Sequence, residues 1–154
     1  MKIVLQRVKK ARVTVYDNQH PEGYVSGEIA SGLALLVGFK ENDNLESAAK
    51  LAKKVIDLRI FEDENGKMNK SVSDIQGELL IVSQFTLYGD TRKGRRPSFT
   101  GTMPPDAAEE MYLKFVQLLT DSGRTVKTGV FGTKMDVEII NDGPVTFILE
   151  DPMP

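Results

Sequence analysis

The chain has 154 residues, of which 40% are apolar, and this length fits a single domain with a sizeable buried core. It contains no cysteine, which excludes disulfide bonds, a thiol nucleophile and thiolate-bound zinc. The net charge of −2 argues against a surface covered in cations for non-specific nucleic-acid binding. No apolar run approaches the ~20 residues of a membrane span and no signal peptide is evident, so we expect a cytoplasmic protein.

Alternation of apolar and polar residues predicts the first strands. They are expected at 1–8, 11–16 and 24–29, with turn chemistry at 17–23 that includes the single histidine, His20. The run 32–39 is continuously apolar, which predicts a strand that is buried on both faces. Arg7 lies on the apolar face of the first strand, so its charge needs a partner there. Main-chain carbonyls of a tight turn would suit it.

Two helices are predicted from apolar residues at helical spacing. The segment 43–46 (Asp-Asn-Leu-Glu) resembles a capping box in front of the first helix. Pro105 suits the first position of the second helix, which ends before Gly123. Further strands are expected at 79–82 and at about 125–131, 135–141 and 145–149.

This order of elements predicts an α+β fold. Many strands with short connections favour a strongly curved, barrel-like antiparallel sheet, accompanied by the two helices. We expect one domain over 1–154, with 150–154 as a short C-terminal tail.

Polar and then cationic residues follow the strand 79–82. First come Ser83, Gln84, Phe85 and Thr86, and then four cations within five residues, Arg92, Lys93, Arg95 and Arg96. Small polar groups beside a cationic loop suit an anionic ligand, since arginine forks match phosphate oxygens. Two plainer interpretations remain open, because such polar residues often cap a strand end and such cations often form a solvated turn.

A second motif lies near the end of the chain. Gly143-Pro144 stands between two apolar strand-like segments, which predicts a tight turn with a cis peptide bond. A fixed backbone turn of this kind suits a rigid wall. Met135 alternates with Val137 and Ile139 on one strand face, a pattern that is also typical of core packing.

These two runs resemble the Ser-Gln-Xaa-Thr and Gly-cis-Pro motifs of the D-aminoacyl-tRNA deacylases. Three further segments match that family in order and rough spacing: Leu5–Val8, Asn65–Asn69, and Phe131-Gly132 followed by Met135. The resemblance therefore extends from Met1 to about Leu149. One departure is the segment 101–103 (Gly-Thr-Met), which is bulkier than in many relatives and bears on the contacts to adenosine.

The resemblance implies a homodimeric hydrolase that cleaves the ester between a D-amino acid, or glycine, and the terminal adenosine of tRNA. It implies catalytic roles for residues 83–86, with main-chain N–H groups near Phe85 and Thr86 as oxyanion contacts. The carbonyls of Gly143 and Pro144 would enter the partner's pocket and exclude L-amino acids, supported by Arg7 and Met135.

The resemblance also implies that the four cations at 92–96 bind tRNA and that the 2′-hydroxyl of the terminal ribose assists the attacking water. We expect no metal and no cofactor, because one histidine without cysteine is a poor ligand set. We expect no membrane or DNA partner.

Two other functions fit parts of the sequence. A non-catalytic RNA-binding module would use Phe85, Tyr88 and Phe99 as stacking platforms, although these aromatic residues surround a loop rather than alternate on a strand. A hydrolase of small esters would use a serine or threonine nucleophile, and Thr86 could be the nucleophile of the deacylase itself, although in both cases no residue evidently supplies the base.

Overall fold

The computed structural model of the protein describes residues 1–151. Within that range the elements are β1 (Lys2–Tyr16), β2 (Tyr24–Ile29), β3 (Gly32–Gly38), α1 (Leu45–Asp57), β4 (Phe61–Glu62), β5 (Met68–Lys70), β6 (Glu78–Ser83), a 3-10 turn (Phe85–Tyr88), α2 (Pro105–Thr120), β7 (Val126–Thr128) and β8 (Lys134–Glu150). The strands β4 and β5 form a small separate hairpin. The other six strands form one sheet, which organises the molecule.

The long strand β1 is the axis of this sheet. Along one edge it pairs with β2 and β3, and along its other edge it pairs with β8. The order then continues from β3 to β6 and β7. β7 comes back towards β2, where a Cβ on Gly27 would lie 2.9 Å from the carbonyl oxygen of Thr128. The predicted curved, barrel-like sheet with two helices is therefore confirmed.

The sheet is mixed, whereas the sequence predicted only antiparallel strands. β3 pairs with β6 in parallel, and β6 pairs with β7 in parallel. The reason is the connections: α1 lies between β3 and β6, and α2 lies between β6 and β7. A crossover through a helix returns the chain in the same direction, which short hairpin connections cannot do.

β8 replaces the two strands that were predicted at 135–141 and 145–149. Both halves pair antiparallel with β1, so the chain does not reverse at Gly143-Pro144. Asn141 pairs with Val8 and Thr146 pairs with Gln6, which leaves residues 142–145 opposite Arg7 alone. Such extra residues bend a strand outward. We call residues 141–145 the Gly-Pro bulge.

Both predicted helices form, with one change in the capping. Asn44 caps α1 by accepting from the Ser47 N–H at 3.0 Å, whereas the Asp43 carboxylate accepts from the Lys40 N–H at 2.8 Å. Pro105 occupies the first position of α2, as predicted. None of the helices described over 1–151 is long and apolar enough to cross a membrane.

The two faces of β6 belong to two hydrophobic clusters. Leu79 and Ile81 pack with the helices, whereas Leu80 and Val82 point into the curled sheet. β6 is thus buried on both sides, and its position is fixed up to its last residue, Ser83. The predicted tail begins one residue later than expected, since Glu150 still belongs to β8. Residues 152–154 lie outside the described range.

Candidate active site

A cavity of about 520 Å³ opens where β6 ends. Its lining comes from four segments of the chain: Val82, Ser83, Gln84 and Phe85; Thr102, Met103, Pro105 and Ala108; Phe131, Gly132 and Thr133; and Met135 and Val137. Three of the four predicted catalytic residues therefore lie in its wall. The contributions of α2 and of the 131–133 segment were not predicted in detail, because they depend on how distant segments pack.

The segment 83–86 is held by local hydrogen bonds. The Gln84 N–H donates to the carbonyl oxygen of Val37 at 2.7 Å, which continues the pairing of β6 with β3. The Gln84 side-chain Nε2 donates to Thr86 Oγ1 at 2.6 Å. Thr86 itself is exposed and does not line the cavity. Its hydroxyl is therefore oriented at the rim by a neutral amide, which cannot act as a base.

No titratable side chain of residues 1–151 lines this cavity. His20 lies in the turn after β1, where its Nδ1 is 3.0 Å from the Asp17 carboxylate and its ring contacts Tyr24. No group of three or more metal-ligating side chains occurs in the described part of the chain. The walls can thus orient a substrate and donate main-chain hydrogen bonds, but they hold no side-chain base.

The Gly-Pro bulge is fixed from behind by Arg7. The Gly143–Pro144 peptide bond is cis, as the sequence predicts, and both residues are exposed. Arg7 is only 5% exposed. Its Nε donates to the carbonyl oxygen of Asp142 and its Nη1 to that of Ile60, both at 2.8 Å. The expected pairing of this buried cation with main-chain carbonyls is therefore confirmed.

Asn141 is a second support of the bulge, which the sequence reasoning missed. Its Oδ1 accepts from the Val145 N–H at 2.7 Å, and its Nδ2 donates to the Val145 carbonyl oxygen at 3.2 Å. The side chain thus replaces a strand partner across the base of the bulge. An asparagine directly before Asp-Gly-Pro was the available signal, since its amide commonly bonds nearby backbone.

Met135 does not support the bulge within one chain. It lines the cavity and pairs with Val15, whereas Asn141 pairs with Val8 on the same continuous ladder. Six residues of extended strand separate Met135 from Asn141 by about 20 Å. The support of Gly143-Pro144 that was expected from Met135 could therefore come only from another subunit.

The four cations lie on an exposed loop, which we call the cationic loop (residues 90–98). Asp90 and Ser98 close it by two backbone hydrogen bonds of 2.8 and 2.9 Å. Arg92 Nε and Nη2 donate to the Asp90 carboxylate at 2.9 and 2.7 Å, and these bonds lower the pKa of Asp90 to about 2. Lys93, Arg95 and Arg96 are exposed and form no ion pair with any described residue. The loop therefore presents three unpaired cations, and the exposed Arg92 beside them has its charge partly compensated by Asp90.

The segment 101–103 forms part of the cavity wall. Thr102 Oγ1 donates to the carbonyl oxygen of Phe99 at 2.7 Å, and the Met103 N–H donates to that of Phe39 at 3.2 Å. Both side chains line the cavity. The side chains of Thr102 and Met103 are thus placed where they can contact a bound ligand.

Comparison with known protein families identifies the family of this chain. The family model described as D-Tyr-tRNA(Tyr) deacylase matches residues 4–150. The chain belongs to this family. It is 53% identical over 150 residues to a D-aminoacyl-tRNA deacylase of Thermosipho africanus (strain TCF52B), covering 97% of each chain. It is 55% identical over 151 residues to one of Picosynechococcus sp., covering 97% of this chain and 96% of the relative.

Two solved structures resemble the whole fold. One, a protein named c-Myc DNA Unwinding Element Binding Protein, is 42% identical with a TM-score of 0.90, and the match covers 99% of this chain and 100% of that one. The other, a probable eukaryotic D-amino acid tRNA deacylase, is 17% identical with a TM-score of 0.79, covering 96% and 97%. At that identity the second likeness concerns the fold alone.

Proposed function

We propose that this chain hydrolyses the ester bond between a D-amino acid and the terminal adenosine of tRNA. Family membership supports the proposal, because the relatives matched over almost their whole length are named D-aminoacyl-tRNA deacylases. The observation that carries it is the cavity at the end of β6, where Ser83, Gln84 and Phe85 meet a largely apolar wall. Its volume of about 520 Å³ suits an aminoacylated nucleoside.

The chemistry proceeds without a side-chain base. The lining contains no titratable group, so the 2′-hydroxyl of the substrate's terminal ribose positions or activates the attacking water. Phe85 and Thr86 begin a 3-10 turn, and the first N–H groups of a helix have no acceptor within it. These two N–H groups can stabilise the oxyanion. Thr86 orients the substrate rather than attacking it, because the neighbour of its Oγ1 is the Gln84 amide.

Stereochemical selection comes from the Gly-Pro bulge of a second subunit. The carbonyls of Gly143 and Pro144 occupy the space that an L side chain would need, while a D side chain points outward. None of the residues that line the cavity belongs to the bulge of the same chain, which supports a contribution from the partner. Glycine has no side chain to exclude, so glycyl-tRNA is also a substrate.

The homodimer would form along β8. Within residues 1–151 this strand pairs with β1 only, so its other edge is open. Ile140, Phe147 and Ile148 are exposed on it, Ile148 by 67%. An open strand edge with large apolar side chains is a typical interface between chains. Contact along β8 would also bring the bulge of one subunit to the other.

The test is hydrolysis of matched D-, L- and glycyl-tRNA at low enzyme concentration. We expect the D-aminoacyl and glycyl esters to be lost much faster than the L-aminoacyl ester. Equal and negligible hydrolysis of all three esters would contradict the proposed enzymatic activity and would favour a non-catalytic RNA-binding module. Binding of the uncharged tRNA without hydrolysis would be the sign of that alternative.

The cross-subunit filter has its own test in mixed dimers. Gly143→Ala disturbs the bulge, because the new Cβ would lie 2.6 Å from Val145 Cγ2 at a φ of +151°. Ala108→Leu fills the cavity, whose wall includes Ala108. Ala108→Leu alone should be weakly active and Gly143→Ala alone should discriminate poorly between D and L esters, whereas a dimer with one subunit of each has one intact bulge facing one intact cavity. Failure of co-refolded mixtures to regain D-specific activity would contradict the arrangement.

A further inference from the structure

Two exposed aromatic rings lie at the mouth of the cavity. Phe85 is 57% exposed and Phe99 is 38% exposed, and their ring centroids are 5.0 Å apart at an interplanar angle of 62°. Phe85 also lines the cavity, and Phe99 directly follows the cationic loop. The pair therefore extends from the cavity to the cations.

The pair is held in place despite its exposure. A Cβ on Gly89 would lie only 3.0 Å from Phe99 Cε1, so the ring rests on the glycine backbone. Thr102 donates to the carbonyl oxygen of Phe99 from both its N–H, at 3.1 Å, and its Oγ1, at 2.7 Å. The backbone pair between Asp90 and Ser98 closes the loop immediately before Phe99. Large apolar groups that are exposed and yet fixed in this way are typical of a binding surface.

From this geometry we propose that Phe85 and Phe99 form a stacking platform for the nucleotide that precedes the terminal adenosine. The inference rests on the proposed function, which places the adenosine ester in the cavity. The platform starts at the cavity wall, and the unpaired Lys93, Arg95 and Arg96 lie on the loop beside it. A base that leaves the cavity thus meets aromatic faces, and its phosphates meet cations, the combination that binds single-stranded nucleic acid.

The occupant is the single-stranded 3′ end of the RNA rather than a protein. Three neighbouring unpaired cations beside the aromatic pair repel one another, and a phosphate backbone neutralises this repulsion, which favours RNA over a neutral protein surface. Stacking on an aromatic ring also tolerates any base, since every base has a π-face. The platform therefore adds affinity for the acceptor end without adding selectivity for one tRNA.

The experiment compares two small substrates, a D-aminoacyl-adenosine and the same ester on a cytidylyl-adenosine dinucleotide. In the unmodified protein we expect the dinucleotide to have a kcat/KM about tenfold higher, mostly through KM, as one stacked base would give. Phe99→Leu should bring the ratio of the two kcat/KM values near one, and Phe99→Tyr should keep it. Leu113→Ala, which alters an exposed apolar residue of α2, is the matched control and should also keep it.

High salt separates stacking from phosphate contacts, because stacking on an uncharged ring is little affected by screening. We expect the dinucleotide advantage to persist at high salt in the unmodified protein. An unchanged ratio in Phe99→Leu would overturn the platform. If this variant also had a different oligomeric mass from the unmodified protein, the aromatic pair would be a contact between protein chains. Absence of hydrolysis of both substrates and of D-aminoacyl-tRNA would overturn the proposed function and this inference with it.

Discussion

The cavity and the Gly-Pro bulge have opposite shapes but are held in similar ways. The cavity is concave, and its segment 83–86 is fixed by a bond from the Gln84 N–H to Val37. The Gly143-Pro144 unit is exposed, and the backbone of the bulge is fixed by the buried side chain of Arg7 and the partly buried side chain of Asn141. In both places a polar group behind the surface holds main chain in position. At the bulge the fixing groups are side chains, whereas at the cavity the fixing bond joins main chain to main chain.

The two regions differ in what they offer a ligand. The cavity offers apolar walls, hydroxyls and N–H groups, whereas the most exposed residues of the bulge are Gly143 and Pro144. Under the proposed function, the cavity supplies orientation and the bulge of the partner supplies exclusion. Rate and selectivity should therefore respond to different changes.

The largest effect is expected from the substrate rather than from the protein. Replacing the terminal adenosine of the tRNA by its 2′-deoxy form removes the group that assists water. Since general acid–base assistance contributes about 10²–10⁴-fold, turnover should fall by that factor. Binding, measured by filter retention of the uncharged tRNA, should change little. Full-speed hydrolysis of the deoxy substrate would mean that the protein contains a base outside the cavity lining.

The next largest effect is expected from breaking the support of the bulge. Arg7→Met should lower the free energy of unfolding by about 2–4 kcal/mol, because the buried carbonyl of Ile60 and the partly buried carbonyl of Asp142 lose their donor. The remaining activity should discriminate less between D- and L-aminoacyl-tRNA, since the bulge is no longer fixed. Urea unfolding and paired D/L assays measure the two effects.

The matched control is Arg12→Met on the same strand. Arg12 is more exposed and pairs with Glu28 at the surface, so its loss should change the free energy of unfolding much less than the loss of Arg7. Selectivity should remain unaltered. If Arg7→Met kept full D/L discrimination while the folded fraction stayed high, Arg7 would have no role in the filter.

Sequence patterns were sufficient for the features that depend on neighbouring residues. Alternation along the chain placed Arg7 on a buried face and predicted carbonyl partners, and the apolar run 32–39 predicted a fully buried strand. Both follow from short-range periodicity. The single strand β8 was missed because turn residues at Gly143-Pro144 look alike whether the chain reverses or bulges.

Features that depend on distant residues could not be read in the same way. The parallel pairing of β3, β6 and β7 is decided by the packing of the connecting helices, which no local pattern encodes. The position of Met135 in the cavity depends on the register of β8 against β1. The ion pair between Arg92 and Asp90 was not predicted, although two residues of opposite charge at this spacing can pair within one loop.

A moderate effect is expected at the rim of the cavity. Thr86→Ala removes a hydroxyl that orients the substrate, so kcat/KM should fall by about tenfold or less, the value of one hydrogen bond. No acyl-enzyme should be trapped on rapid quenching. Thr120→Ala, at the far end of α2, is the control and should be fully active. Isolation of an ester on Thr86 would replace the substrate-assisted mechanism by covalent catalysis.

Substitutions in the cationic loop are expected to have a smaller effect, and only on the affinity for tRNA. Arg95→Gln with Arg96→Gln should reduce the slope of log affinity against log salt by about 0.7–0.9 per lost phosphate contact. Arg92→Gln should change the slope much less, because Asp90 already compensates its charge. Equal slopes for all three proteins would make the loop an ordinary solvated turn.

The smallest effect is expected from freeing Arg92 of its ion pair with Asp90, and it is an increase in affinity for tRNA. Asp90→Asn removes the charge of the carboxylate, while its Oδ1 can still accept from the Arg92 N–H, which it does now at 3.0 Å. A fourth cation then becomes available, so tRNA binding should tighten a few-fold at low salt, with a slope steeper by up to about 0.9.

Adding Arg92→Gln to Asp90→Asn should cancel that gain, because the released cation is no longer present. Acidification should not mimic the substitution, because bonds from Arg92 lower the pKa of Asp90 to about 2 and the carboxylate therefore stays charged from pH 4 upward. Unchanged affinity in Asp90→Asn would place Arg92 out of reach of the RNA. Contact with the cavity substrate would then be confined to the part of the loop from Lys93 to Arg96.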